Sequence, residues 1–251
     1  MLSDTARSKK DVTFTIVSNR LIAKNVYELS LEGDTSSFTA PGQFCNIALQ
    51  GFYLRRPISV CSYGENSLTL IYKTVGQGTK YLAGLGSGEQ LSILTGLGNG
   101  FDVSRCGEKT LVVGGGVGVP PMYGLAQALK AAGRQVHALL GWNTADEVFY
   151  AEKFAELGVP VTVCTADGSV GVKGFVTDAL GELDYDCVCA CGPEPMLRAL
   201  YNATECDGQY SFEERMACGF GACMGCTCAT KYGSKRICRD GPVLFRDEIV
   251  F

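Results

Sequence analysis

The sequence predicts an α+β multidomain protein: an antiparallel β-barrel, then an α/β domain with a parallel sheet, then a small C-terminal domain rich in cysteine. Three observations predict it. Residues 1–105 hold short β-branched and aromatic runs separated by Gly, Pro, Asn and Asp, the pattern of a barrel or sandwich. Residues 106–210 open on a strand, a glycine-rich loop, a helix and a second strand, a βαβ order that favours a parallel sheet. Residues 211–251 gather Cys218, Cys223, Cys226, Cys228 and Cys238 into a short tail.

Composition narrows the function classes. The chain has 251 residues, 46% of them hydrophobic, and a formal net charge of −4. It is long enough for two modest domains or one large one and too apolar to be disordered. The charge argues against nucleic acid or anionic membrane as a partner. No run of about 18 apolar residues exists to span a membrane. The polar stretch MLSDTARSKKD lacks the apolar segment of a signal peptide. Thirteen cysteines in such a chain then fit a reducing cytoplasm. The eight outside the tail mostly lie in apolar stretches, where free Cys acts as a small buried hydrophobe.

In the first domain, strands are expected at Val12–Val17, Val26–Leu31, Gln43–Leu49, Ser67–Lys73 and Gln90–Leu94, and a short helix at Thr79–Leu85. Two stretches carry chemistry. Arg55 and Arg56 precede Pro57, Ile58 and Ser59 at the start of a strand, and a planar guanidinium fork suits phosphate oxygens. The strand ending Ile71-Tyr72-Lys73 runs through Gly76-Gln77-Gly78-Thr79 into the helix, where backbone N–H groups favour an anion. Each motif alone is ordinary, since strand arginines are usually solvated and G-x-G is usually a turn. Together they suggest a dinucleotide held by its pyrophosphate.

In the second domain, Thr110–Val113 enters Gly114-Gly115-Gly116-Val117-Gly118-Val119-Pro120-Pro121. A helix Met122–Ala132 and a strand Gln135–Leu140 follow. Gly116 and Gly118 offer backbone to a second pyrophosphate, although Pro121 stands where the fingerprint has its third glycine. A structural loop is the equal alternative. Further strands are expected at Val159–Cys164 and Asp186–Ala190, and helices at Phe149–Leu157, Gly174–Leu180 and Leu197–Thr204. Cys191 and Gly192, with Asp167 and Ser169, fall at the carboxyl edge of the sheet, where such folds bind ligands. His137, the single histidine, lies inside a strand and reads as a core or edge residue. No nucleophile–base constellation or phosphate-loop lysine motif is present, which excludes the usual hydrolytic and phosphoryl-transfer chemistry.

The tail is the most specific signal. Cys218, Cys223 and Cys226 form a C-x4-C-x2-C array, the plant-type [2Fe–2S] spacing. Zinc and disulfides are the alternatives, but zinc sites usually pair two C-x2-C units and only one is present. Cys238 is the better candidate for the fourth thiolate and Cys228 the competitor. A nicotinamide passes hydride and a [2Fe–2S] cluster passes single electrons, so a chain with both sites needs a flavin between them.

Arg56-Pro57-Ile58-Ser59, Gly76–Thr79, Gly114–Pro120 and Cys191-Gly192-Pro193-Glu194-Pro195-Met196 together resemble the ferredoxin–NADP reductase superfamily. Met216–Cys226 and Cys238-Arg239-Asp240-Gly241-Pro242-Val243 narrow the resemblance to the electron-transfer subunits of NAD-dependent (class 1B) dihydroorotate dehydrogenases. The resemblance covers nearly the whole chain, with the motifs in the family's order. It implies an FAD domain at 1–105, an NAD domain at 106–210 and a [2Fe–2S] domain at 211–251. FAD would meet Arg56, Pro57, Ile58 and Ser59, the main chain of Ile71, Tyr72 and Lys73, and Gly78 and Thr79 at its pyrophosphate. Cys218, Cys223, Cys226 and Cys238 would hold the cluster. The resemblance supports Cys238 over Cys228 because the family's fourth ligand precedes Asp-Gly-Pro. The segment between Cys226 and Cys238 is shorter than the resemblance implies. The implied partner is an FMN-containing catalytic subunit that oxidises dihydroorotate, two of each chain forming a heterotetramer in pyrimidine biosynthesis. NAD is favoured over NADP because Asp146 and Glu147, and no Arg or Lys, follow the second strand. Rival readings are a small subunit coupling NAD(P)H to ferredoxin or sulfur compounds, an oxygenase reductase, and a redox-sensing or zinc-binding regulatory module.

Overall fold

The computed structural model describes residues 9–251. The part of the N-terminal reading that concerns residues 1–8 lies outside the described residues.

Six strands close a barrel in the order β1-β2-β5-β4-β3-β6. They are β1 (Lys10–Ala23), β2 (Val26–Glu32), β3 (Phe44–Ile47), β4 (Arg56–Tyr63), β5 (Ser67–Lys73) and β6 (Gln90–Leu97), with helix α1 (Gln77–Ala83) between the last two. All neighbours are antiparallel. Register shifts in β1 between Ile16 and Ser18 and between Leu21 and Ala23 bend a strand otherwise too long for a small barrel. Alternate residues Phe14, Ile16, Leu29, Leu31, Leu68, Leu70 and Ile93 fill the interior, each burial stabilising by about 1.5–3 kcal/mol.

The second half is a seven-stranded sheet of order β10-β9-β8-β7-β11-β12-β15. Its strands are β7 (Lys109–Gly115), β8 (Gln135–Trp142), β9 (Val161–Thr165), β10 (Val172–Lys173), β11 (Cys187–Cys191), β12 (Asp207–Ser211) and β15 (Val243–Phe245). Only β15 runs antiparallel to its neighbour. Helix α2 (Val119–Ala131) covers one face with α3 (Ala151–Glu156), and α4 (Glu194–Ala203) covers the other. Pro120 and Pro121 fall in the first turn of α2, where a missing N–H costs nothing. Cys187, Cys189 and Cys191 face the α2 side, Val188 and Ala190 the α4 side. The order reverses between β7 and β11, so their carboxyl ends open a crevice.

The tail adds a hairpin of β13 (Thr227–Thr230) and β14 (Gly233–Arg236), the short helix α5 (Ile237–Asp240), and β15 at the sheet edge. Strands β10, β12, β13, β14 and β15 are not among those the sequence predicts. Two expected helices differ. The segment at Gly174–Leu180 is a 3-10 helix over Val176–Glu182, because Gly174 has φ +122 and the Asp178 carboxylate accepts from Phe175 N at 2.7 Å, which starts the turn late. The helix expected at Phe149–Leu157 shrinks to α3 because Tyr150 has φ +67 and blocks extension towards Phe149. Among the described residues no helix is long and apolar enough to cross a membrane.

Candidate functional site

On the barrel, β4 and the turn before α1 meet directly. A Cβ placed on Gly78 would lie 2.2 Å from Arg56 Nε, so only glycine lets the guanidinium lie across the helix start. Arg56 also donates to Leu54 O and stands over the Phe52 ring at 5.0 Å. Thr79 Oγ1 accepts from Val75 N at 3.0 Å and Gly76 N at 3.2 Å, so its hydroxyl fixes the turn. The first N–H groups of α1 have no intrahelical acceptor. Around this charged corner lie Tyr53, fully exposed, and Val75, 80% exposed. Exposed apolar side chains beside a guanidinium and free amides suit a flat ring system joined to a pyrophosphate. Pro57 is exposed and Ile58 and Ser59 are half-buried on the same strand. Ile71 packs towards the α/β domain and Tyr72 turns into the barrel, its hydroxyl donating to Asn19 Oδ1 at 3.0 Å. A ligand at this stretch therefore meets the main chain of Tyr72, not its ring.

The crevice between β7 and β11 is a cavity of about 530 Å³. Gly115–Gly118, Gly192, Pro193, Pro195, Met196, Trp142, Asn143 and Phe175 line it, with Lys73 and Glu147. Gly116 has φ +52. At Gly118 a Cβ would stand 2.1 Å from Cys191 O, so this glycine is needed for the helix start to close on β11. The sequence motif and the Cys191-Gly192 edge are thus one site. Burial holds the Cys191 thiol up at about 12, so it is neutral at physiological pH. Trp142 Nε1 is buried and has no hydrogen-bond partner among the described residues, an orphan donor of the sort a bound ligand satisfies. Glu213 opens to the cavity but is crowded by protein elsewhere, and that desolvation raises its carboxyl above the usual range.

Glu147 pairs with Lys73 at 2.9 Å and Asp146 with Lys24 at 2.9 Å. Both acids that follow β8 are therefore tied to the barrel. The Lys73 ammonium holds Glu147 below the usual carboxylate range. Asp167 and Ser169 bond to each other at 2.6 Å, and Ser169 Oγ accepts from Ala145 N at 2.8 Å. They brace a loop outside the cavity lining. His137 Nε2 lies 2.8 Å from Thr162 Oγ1, and burial lowers its pKa, as suits a half-buried strand residue.

In the tail, Gly219 and Gly221 take φ +73 and +95, wrapping residues 218–226 into a loop. Ala222 N and Cys223 N donate to Cys218 Sγ at 3.3 and 3.4 Å. Partial burial opposes ionisation of Cys218, but N–H groups of Cys223, Phe220 and Ala222 bring its pKa down to about 6. Cys238 N donates to Cys226 Sγ at 3.4 Å, and Ile237 N to Cys226 O at 3.0 Å. Cys226 and Cys238 are buried, Cys218 is half-buried and Cys223 exposed. Thiols ringed by backbone N–H donors are the donor set of an iron–sulfur cluster. Cys228 lines a separate cavity of about 140 Å³ with Phe212 and Phe251.

The loop docks on the barrel through a residue the sequence did not flag. Asn46 of β3 donates from Nδ2 to Cys218 O at 3.3 Å, and its cross-strand partner is Pro57. Asn99 grips the far end, donating to Val243 O at 2.7 Å and accepting from Val243 N at 3.0 Å. The cysteine loop thus sits against the strand pair that carries Arg56–Ser59.

This is the fold of a flavin- and nicotinamide-dependent reductase with an iron–sulfur loop added at its C-terminus. Residues 213–250 match the iron-sulfur cluster binding domain of dihydroorotate dehydrogenase B, and residues 112–201 the oxidoreductase NAD-binding domain. The chain is 46% identical to the dihydroorotate dehydrogenase B (NAD(+)), electron transfer subunit, of Bacillus mycoides, covering 94% of this chain and 96% of that one. It is 43% identical, with the same coverage, to the subunit of that name from Fusobacterium nucleatum. Among solved structures, an NADH-dependent reduced ferredoxin-NADP oxidoreductase aligns with TM-score 0.86 and 30% identity over 94% of this chain and 89% of that one. The chain belongs to the family of dihydroorotate dehydrogenase B (NAD(+)) electron transfer subunits.

Proposed function

We propose that this chain carries electrons from a dihydroorotate-oxidising catalytic subunit through a [2Fe–2S] cluster and FAD to NAD, in pyrimidine biosynthesis. Its family membership supports this, and so does the docking of the cysteine loop on Asn46, opposite Pro57 in the strand pair of the flavin corner. When bound, the cluster supplies one-electron transfer, FAD the exchange between one and two electrons, and NAD the hydride acceptor.

The chain's own residues position and insulate. Arg56, Pro57, Ile58 and Ser59 form the flavin shelf with the main chain of Ile71, Tyr72 and Lys73, while Gly78 and Thr79 shape the turn that takes the pyrophosphate. Gly116 and Gly118 present backbone to NAD, with Gly192 lining the cavity and Cys191 backing Gly118 from behind it. Cys218, Cys223, Cys226 and Cys238 hold the cluster. The Cys238–Cys226 contact, and the separate surroundings of Cys228, favour Cys238 as fourth ligand. Domains are accordingly 1–105 for FAD, 106–210 for NAD and 211–251 for the cluster, with β15 returning to the nucleotide sheet. The partner is an FMN-containing catalytic chain in a heterotetramer of two each. The cytoplasm suits a chain whose thirteen cysteines are all free.

The test is co-expression with an FMN-containing dihydroorotate dehydrogenase chain and assay of dihydroorotate-dependent NAD reduction. The complex is expected to reduce NAD, and neither chain alone. Flavin and [2Fe–2S] absorption without complex formation would move the assignment to a ferredoxin-linked reductase, the activity of the solved relative. Absence of both cofactors from anaerobically prepared, iron-replete protein would overturn it.

A further inference from the structure

A second thiol cluster lies away from the cofactor sites. The sulfurs of Cys106, Cys187 and Cys189 all fall within 4.8 Å of one another, and all three residues are buried. Cys106 Sγ and Cys189 Sγ are 3.6 Å apart. Cys187 and Cys189 share one face of β11 because they are two residues apart on a strand. Cys106 arrives from the loop that links the barrel to β7. These thiols sit at the amino end of β11, whereas Cys191 lies at its carboxyl end, against Gly118 of the crevice.

The surroundings are those of a site, not only of packed hydrophobes. The buried Gln209 side chain donates from Nε2 to Cys106 Sγ at 3.4 Å. Its position is fixed by Asp102, whose N donates to Gln209 Oε1 at 2.8 Å and whose O accepts from Nε2 at 2.9 Å. Gly107 N–H faces the Cys187 sulfur. Asp186, next to Cys187, accepts from Glu108 N and Lys109 N at 3.1 Å each, which pins the Cys106 loop against β11. Two sulfurs thus receive N–H donors, as thiolate ligands of metals commonly do.

We propose that Cys106, Cys187 and Cys189 form a three-coordinate site for a soft monovalent cation, Cu(I). Trigonal coordination at about 2.3 Å from each sulfur places the sulfurs about 4 Å apart, within the spacing present. Zinc prefers a fourth ligand, and among the described residues no histidine, carboxylate or further thiol joins the group. Soft thiolates select Cu(I). On binding, three S–Cu bonds form and the thiol protons leave to solvent. The metal would tie the 102–107 loop to β11.

The experiment uses the full chain with its cofactors loaded, anaerobic, and Cu(I) buffered by bathocuproine disulfonate. The expected result is one Cu(I) per chain with iron content unchanged, and a copper-edge X-ray absorption spectrum showing three sulfur neighbours. In Cys106→Ala the affinity is expected to fall by more than the roughly 10–100-fold typical of outer-shell changes. Failure of the folded wild-type protein to retain Cu(I), uptake that displaces iron, retention of Zn(II) but not Cu(I), or undiminished binding by a folded Cys106→Ala protein would each overturn the proposal.

Discussion

The nucleotide crevice and the cysteine loop are built by opposite means. Where glycine lines a site the decisive atoms are those left out: in the crevice a methyl at Gly118 would strike the Cys191 carbonyl, and at the barrel corner one at Gly78 would strike the Arg56 guanidinium. At Gly118 main chain comes close to main chain, so backbone borders the space proposed for a pyrophosphate. In the cysteine loop the decisive atoms are side-chain sulfurs, and the backbone serves them by turning N–H groups inward at Cys218 and Cys226. A site made of backbone is broken by adding atoms, a site made of side chains by removing them.

The largest effect that sharpens this contrast is at Cys226. Replacing it with Ser removes a buried thiol proposed as a cluster ligand, so iron content should collapse. Dihydroorotate-linked NAD reduction should fall by more than the roughly 10–100-fold typical of outer-shell changes. Flavin content and NADH-dependent reduction of a hydride-accepting dye should persist, and loss of both would mean that the loop supports the core it sits on. Next is Gly118→Ala, where the added carbon meets fixed backbone. The expected cost is about 1–3 kcal/mol of stability, with a raised KM for NADH and unchanged iron, read by denaturant melts and steady-state kinetics. An unchanged KM would break the assignment of this turn to NAD.

Smaller effects test the joints between regions. Asn46→Ala deletes one hydrogen bond to the cysteine loop, worth about 1 kcal/mol, and should hasten iron loss to a chelator without altering flavin content. The Lys73–Glu147 pair, partly exposed, contributes at most about 1 kcal/mol. Because Lys73 holds Glu147 below its ordinary value, that stability is fully present above the unfolded carboxylate range and lost as pH falls through the lowered value. Melting curves from pH 7 to pH 3 should therefore show a smaller acid-side decline in Lys73→Met, whose Glu147 lacks the partner. An identical decline would mean that the pair contributes nothing to stability on the acid side.

The same contrast governs what could be read in advance. The cluster loop was legible because Cys218, Cys223 and Cys226 lie within nine residues and spacing alone expresses their chemistry. Arg56 and Gly78 were legible as two ordinary motifs, and folding shows why they belong together: one side chain occupies the space the other lacks. Asn46, Phe175 and Glu213 gave no signal, because their roles arise from a strand pairing and a crevice that form only in three dimensions. The helix ends at Tyr150 and Gly174 differ from those the sequence predicts because apolar spacing does not register a positive φ. Cys106, Cys187 and Cys189 read singly as buried hydrophobes, and only the topology brings a linker thiol beside a central strand.

The most direct test of the electron path needs the isolated chain alone. With FAD and cluster loaded, NADH is added without oxygen while the visible and electron paramagnetic resonance spectra are followed. Flavin absorption is expected to bleach and the cluster then to gain one electron, whereas in Cys226→Ser only the flavin bleaches. Reduction of the flavin with a cluster that stays oxidised in the wild-type chain would contradict an internal path between the two sites.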